Sequence, residues 1–226
     1  MEWTNGGLDN IKASIRVFTN AIEGPLQFMV NWSAVIILVS FVALILICVF
    51  IKKDSLANMR HIKTLIVCGL FMALNIVLGY FSIKPTPYLE IGLGSITQPV
   101  IATLYGPLTA CVVGLAQDLI KFMIHPTGAY IPSLTILAGM GGLTYGIFFH
   151  GKKVSFGRVL LAKLTVNIFL NMILYSIALA PTMSVGIAAM LPLRILKNII
   201  SWPILSVIIY FLIKTVQKVI PKKMYY

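Results

Sequence analysis

The chain has 226 residues, of which 59% are hydrophobic and only 11% charged, and its mean hydropathy is +0.96. Soluble domains carry about 45–50% apolar residues, so an ordinary water-soluble fold is excluded and a membrane fold takes its place. Lys and Arg number 18 against 6 Asp and Glu, a formal net charge of +12, yet most of the cations sit in short segments between apolar runs, where they act as orientation signals and not as a nucleic-acid patch.

Residues 1–29 read as an extracellular amphipathic tail. Leu8, Ile11, Ile15, Phe18 and Ile22 recur at steps of three and four, with Asp9, Lys12, Arg16 and Glu23 elsewhere around the wheel, the pattern of a helix lying on a membrane surface. A poorly ordered tail is the alternative. No small-residue cleavage pattern follows the first long apolar run, so residues 30–51 are expected to form a retained accessory transmembrane helix and not a signal peptide. Residues 52–226 then make up the main membrane domain.

A bilayer core of about 30 Å takes about 20 apolar residues in helical form, because lipid offers unpaired backbone groups no partners. Seven stretches are candidates: roughly Asn31–Phe50, Ile62–Ile83, Leu89–Tyr105, Pro107–Ile124, Pro132–Phe149, Leu160–Ala180 and Met190–Ile213. The third and fourth are short and are separated by Tyr105-Gly106-Pro107, a turn signal that predicts a tight helical hairpin. Lys52, Lys53, Arg60 and Lys63 follow the first stretch, Lys152, Lys153, Arg158 and Lys163 the fifth, and Lys214, Lys218, Lys222 and Lys223 the seventh. Cations in short loops stay in the cytoplasm. The expected topology therefore starts outside and ends inside, and an odd number of spans satisfies it.

Polar groups at membrane depth are costly and mark cavities, partners or water paths. Arg194, Lys197, Asn198 and Ser201 stand at i, i+3, i+4 and i+7 on the last span, one helical face that begins about a turn below the outer surface and suits an incoming anion. Snorkelling of the two cations to outer headgroups is the competing reading. Asn167, Asn171 and Tyr175 form a second stripe on the sixth span, fit to hold a polar heterocycle or to glue helices together. Asp118 reads either as a ligand-binding carboxylate or as half of an ion pair with Lys121 one turn on. Glu90 and Gln98 follow the segment Lys84-Pro85-Thr86-Pro87-Tyr88, whose prolines stiffen an extended outer loop suited to a lid. Gly69 and Ala73 form a small-xxx-small pair on the second span, and Gly139, Gly141 and Gly142 crowd the fifth, where internal packing is the expected use.

Catalytic signatures are missing. The sequence has no GxxxxGK[ST], HExxH or GxSxG, and Cys48, Cys68 and Cys111 lack CxxC spacing, so a binding protein is favoured over an enzyme, with no cofactor and no metal expected.

From about Arg60 to Lys218 the chain resembles the six-helix substrate-binding subunits of energy-coupling-factor (ECF) vitamin transporters, most closely the folate type. The resemblance rests on Ser82-Ile83-Lys84-Pro85-Thr86-Pro87-Tyr88-Leu89, on Tyr105-Gly106-Pro107-Leu108 with Gly114 and Asp118, on Pro126-Thr127-Gly128-Ala129-Tyr130-Ile131-Pro132, on Gly142-Leu143-Thr144-Tyr145-Gly146, and on Pro192, Arg194 and Lys197. It implies an all-α polytopic bundle, a six-helix core to which the first span here is an addition. It implies a vitamin bound near the outer surface under the loop after the first core helix, and association with a membrane coupling subunit and two ATPases that hydrolyse ATP. The family's coupling surface carries two alanines four apart on the first core helix. Here Gly69 replaces the first and Ala73 matches the second. Ser133-Leu134-Thr135 stands where the folate pattern continues as Gly-Phe-Thr.

The resulting expectation is a folate-binding subunit. Arg194 and Lys197 would neutralise the glutamate carboxylates, Asn171, Tyr175 and Thr135 would hold the ring system, and Tyr88 and Tyr130 would cap it, with Asn198, Gln98 and Asp118 completing the site. Another cargo on the same scaffold, such as pantothenate or a queuosine precursor, and a stand-alone carrier using Asp118 for proton coupling are the rival expectations.

Overall fold

The computed structural model describes residues 32–51, 62–80, 83–86, 89–91, 93–126, 130–179 and 187–219. The amphipathic tail of residues 1–29, Tyr88 and Thr127–Ala129 lie outside the described residues, as do the side chains of residues 83–93 and 187–194.

Helix α1 covers Ser33–Ile51 and α2 covers Ile62–Tyr80. A small antiparallel hairpin follows, with β1 at Ile83–Thr86 and β2 at Leu89–Ile91. A 3-10 turn at Leu93–Ile96 leads into α3, Thr97–Tyr105. Then come α4, Pro107–Ile124, and α5, Pro132–Phe149. Helix α6, Phe156–Leu179, is α-helical to Thr165, π-helical over Val166–Leu174 and α-helical again from Tyr175. The last helix, α7, spans Ile187–Val219.

Five helices are long and apolar enough to cross a membrane, namely α2, α4, α5, α6 and α7, and α1 is a shorter apolar helix. Their outward faces carry Leu70, Ile66, Val39, Ile199 and Phe211 in the open, as a bundle solvated by lipid requires. At 33 residues, α7 is about 50 Å long, so it reaches past a hydrocarbon core of about 30 Å or tilts within it.

The expected third span, Leu89–Tyr105, is corrected. Its first residues pair with β1, with Ile83 opposite Ile91 and Thr86 opposite Leu89, and only Thr97–Tyr105 are α-helical. The apolar character of that stretch has a different cause. Thr97 and residues 99–105 are all buried, so α3 is a short post wrapped by the other helices, and Val100, Ile101, Ala102 and Leu104 form the centre of the core. Its entry is held by Asn75 of α2, whose side-chain amide donates to the Gly94 carbonyl and, at 2.8 Å, to Thr97 Oγ1.

The hairpin expected at Tyr105-Gly106-Pro107 is present. Gly106 has φ 91°, open only to a residue without a Cβ, and Pro107 starts α4 at a position that needs no N–H donor. From there α4 and α5 pack backbone against backbone. A Cβ on Gly142 would run into the Ala110 carbonyl, and one on Gly146 into Pro107. The glycines of α5 are thus used for internal packing, as expected. Helix α1 docks on this pair of helices, burying Ile37 and Cys48 and packing Phe41 and Leu44 against Leu108, Cys111 and Leu143.

At the end of α5, Lys152 Nζ donates to the Ile147 carbonyl at 3.0 Å and Arg158 Nη1 to the Lys153 carbonyl at 2.5 Å. Lys152 thus satisfies a carbonyl left over at the α5 C-terminus, and Arg158 ties the first turn of α6 to the connecting segment before it.

Candidate functional site

Two polar clusters form inside the bundle. The first lies on α4 and α5. Thr135 Oγ1 donates to Asp118 Oδ2 at 2.7 Å, and Tyr130 OH lies 2.8 Å from the same Oγ1. A hydroxyl has one proton to give, so Thr135 spends it on the carboxylate and Tyr130 donates in turn to Thr135. The Tyr130 ring is exposed and leans on Phe122, one turn beyond Asp118, with ring centroids 5.1 Å apart. A carboxylate is thereby held from below by a buried hydroxyl and reached from above through an aromatic pair. Three residues selected from sequence, Asp118, Thr135 and Tyr130, belong to one hydrogen-bonded chain.

Lys121 points elsewhere. A Cβ on Gly79 of α2 would sit 3.8 Å from its Cε, so this lysine lies along α2, while Asp118 takes the Thr135 hydroxyl.

Gln98 of α3 donates its amide to the Ala138 carbonyl of α5 at 2.6 Å. Glycines make the room for it: a Cβ on Gly114 would stand 2.5 Å from Gln98 Nε2, and one on Gly141 3.2 Å from Oε1. Gln98 therefore ties the central post to α5, and its amide nitrogen is committed there.

The second cluster lies between α6 and α7. Asn171 Nδ2 donates to Asn167 Oδ1 at 3.3 Å, and Asn167 Nδ2 reaches the backbone carbonyl of Asn198 at 3.5 Å. Trp202 Nε1 donates to the Leu160 carbonyl at 3.0 Å one turn further in, so the two helices run antiparallel in contact. Asn167 and Asn171 both fall in the π-helical stretch, a widened turn that recurs at functional positions in helices. Lys197 and Asn198 are half-buried on the facing side of α7, and Tyr175 is half-buried where α6 returns to α-helical form. The side chain of Arg194 lies outside the described residues, as does Tyr88.

Sequence reasoning missed two residues. Lys163, counted with the cytoplasmic loop, is only 3% exposed and stands inside the bundle. The available signal was its spacing of four from Asn167, which extends the asparagine stripe inward. Asn75 gave no signal, because its partners are reached only through the fold.

Gly69 and Ala73 occupy the exposed face of α2, with nothing within 4 Å of a Cβ built on Gly69. Among the described residues no group of three His, Cys, Asp or Glu converges to hold a metal.

Residues 59–223 match the family model of the ECF-type riboflavin transporter S component. The chain is 34% identical over 160 residues to a folate transporter FolT of Clostridium novyi, covering 71% of this chain and 93% of the relative. This chain belongs to the S components of ECF-type transporters. A folate transporter FolT of Leuconostoc mesenteroides is 29% identical over 171 residues, covering 73% of this chain and 88% of the relative.

Among solved structures, FolT bound with folic acid superimposes with a TM-score of 0.64 at 28% identity, over 69% of this chain and 95% of the other. An S component of a bacterial ECF transporter shares the fold at a TM-score of 0.52 and 21% identity, over 69% of this chain and 96% of the other. This S component is thus a multi-pass membrane subunit of a transporter, and the family match begins only after α1. Its relatives differ in the cargo they are named for: the family model carries riboflavin, and both curated transporters carry folate.

Proposed function

We propose that this S component binds folate near the outer face of the membrane for an ATP-driven importer. The observation that carries this reading is the Asp118–Thr135–Tyr130 chain, a carboxylate oriented by a buried hydroxyl under an exposed aromatic ring. A pterin presents adjacent N–H donors on one edge and a flat face for stacking, and a fixed carboxylate beside a tyrosine complements both. The glutamate tail of folate carries carboxylates, which Arg194 and Lys197 neutralise. Asn171, Asn198, Tyr175 and Gln98 add hydrogen-bonding groups around the ring system, and Tyr88 caps it. The curated FolT relatives and the folic-acid-bound FolT structure support folate over riboflavin.

Gly69 and Ala73 are the contact face for the membrane coupling subunit, since small residues let helix backbones approach closely. ATP is hydrolysed on two partner ATPases, and this chain needs no cofactor. The N-terminus is outside and the C-terminus cytoplasmic, as the cation distribution requires.

Equilibrium binding to the purified chain tests the reading. Folate is expected to bind and riboflavin not to compete, and Arg194→Ala is expected to weaken folate at least about tenfold, the loss of one charge-assisted contact. Tight riboflavin binding with no folate binding would overturn it.

A further inference from the structure

Helix α7 ends beside the start of α6. Phe156, the first residue of α6, meets Tyr210 of α7 edge to face with ring centroids 5.7 Å apart, and Trp202 joins the Leu160 carbonyl deeper along the same two helices. Cations crowd this end of the bundle. Lys152 and Lys153 lie in the connection from α5, Arg158 is on α6, and Lys214 and Lys218 are on α7; the four lysines are exposed and Arg158 is half-buried. No Asp or Glu follows Asp118 in the sequence, so α5, α6, α7 and the segments joining them carry no acidic side chain to set against these charges.

The contacts the cations make do not neutralise them. Lys152 and Arg158 donate to backbone carbonyls, and Lys214 Nζ stands 5.4 Å from the centroid of the Tyr210 ring. A neutral carbonyl or a ring face holds a cation in place but leaves its full charge for an anion. Around Lys214 the surface is aromatic. Tyr210 touches Phe211 as well as Phe156, again at 5.7 Å, and the two phenylalanines are 61% and 44% exposed. Three rings thus stand in a row with an ammonium over the middle one. Beside Phe156 the helix surface is bare, since a Cβ on Gly157 would meet nothing within 4 Å.

Rings and cations together fit one kind of partner. Aromatic side chains settle where hydrocarbon gives way to headgroups, and each Lys or Arg there attracts anionic lipid by about 1 kcal/mol. A free phosphate would use the cations and leave the exposed rings idle. We propose that the Phe156–Tyr210–Phe211 row and Lys214, with the cations around them, bind an anionic phospholipid at the α6–α7 end of the bundle. Its phosphodiester lies against Lys214 and its glycerol and upper acyl chain lie on the rings. The inference holds whichever vitamin the S component carries.

The full chain, purified in mild detergent and stripped of lipid, is titrated with dioctanoyl-phosphatidylglycerol, dioctanoyl-phosphatidylcholine or glycerol 3-phosphate, and binding is read from the rise in unfolding temperature and from lipid retained in native mass spectra. Wild type is expected to bind the phosphatidylglycerol more tightly than the phosphatidylcholine, and less so at high salt. Lys214→Gln is expected to weaken the anionic lipid by about fivefold, the loss of one cation beside its phosphate, with the phosphatidylcholine unchanged. Lys214→Arg keeps the charge and is expected to keep the preference. Equal binding of the two lipids by wild type, or an unchanged preference in Lys214→Gln, would overturn the proposal. So would glycerol 3-phosphate binding as tightly as the lipid, which would make the face a site for a free phosphate. A Lys214→Gln chain that keeps its lipid preference but no longer assembles with the coupling subunit and ATPases would assign the face to a protein partner instead.

Discussion

Replacing Thr135 with valine tests the hydroxyl beneath Asp118 with little change in shape. Thr135 is 6% exposed, and valine fills the same volume, so packing is preserved. Two hydrogen bonds are lost, one of 2.7 Å to the Asp118 carboxylate and one of 2.8 Å to Tyr130. A bond to a charged group contributes about 1.5–3 kcal/mol, and the bond to Tyr130, near the surface, adds less. If Asp118 receives the substrate through the orientation Thr135 gives it, most of that energy is lost on binding, and folate affinity falls by about 10- to 100-fold. Thr135→Ser keeps the hydroxyl and is expected to remain within a few-fold of wild type. Titration of the purified variants with folate, by ligand fluorescence or calorimetry, measures both. A Thr135→Val protein that binds folate as wild type does, while unfolding at a lower temperature, would refute the reasoning and reduce the chain to a structural tie.

Gly142→Ala places a methyl group against the Ala110 carbonyl and 2.8 Å from the Cys111 nitrogen. Separating α4 from α5 is expected to cost about 1–3 kcal/mol, seen as a lower unfolding temperature in detergent. Asn75→Ala leaves the Gly94 carbonyl without its amide donor and frees the turn that links the β1–β2 hairpin to α3. The expected results are a stability loss of about 1–3 kcal/mol and faster folate dissociation in a stopped-flow chase. Gly69→Leu enters open space, so stability and folate binding are expected to stay within about 0.5 kcal/mol of wild type. Uptake through the assembled transporter is nevertheless expected to collapse, which a paired binding and uptake assay would show.

Much of this architecture is legible in the sequence because lipid enforces simple rules. Apolar runs of the right length become α2, α4, α5, α6 and α7, and Gly106-Pro107 marks its turn through backbone chemistry alone. The failure at Leu89–Tyr105 has the same physical root: a helix buried by neighbouring helices is as apolar as one bathed in lipid, so hydropathy does not separate the post α3 from a membrane span. The Asp118–Thr135–Tyr130 chain was half visible. Each residue stood out as a polar group in an apolar setting, but the bond between positions 17 apart exists only once α4 and α5 pack through their glycines. Lys163 was hidden by its position near a cationic loop, where a lysine is expected to be solvated. The covering of α4 and α5 by α1 also depends on tertiary packing, since α1 is apolar on every side.

Ligand carried through purification in mild detergent and identified by mass spectrometry addresses the cargo without any assumption about the site. A folate released in near-stoichiometric amount from the wild-type chain, and depleted from Thr135→Val, is the expected result. A flavin or another nutrient in its place would contradict the account.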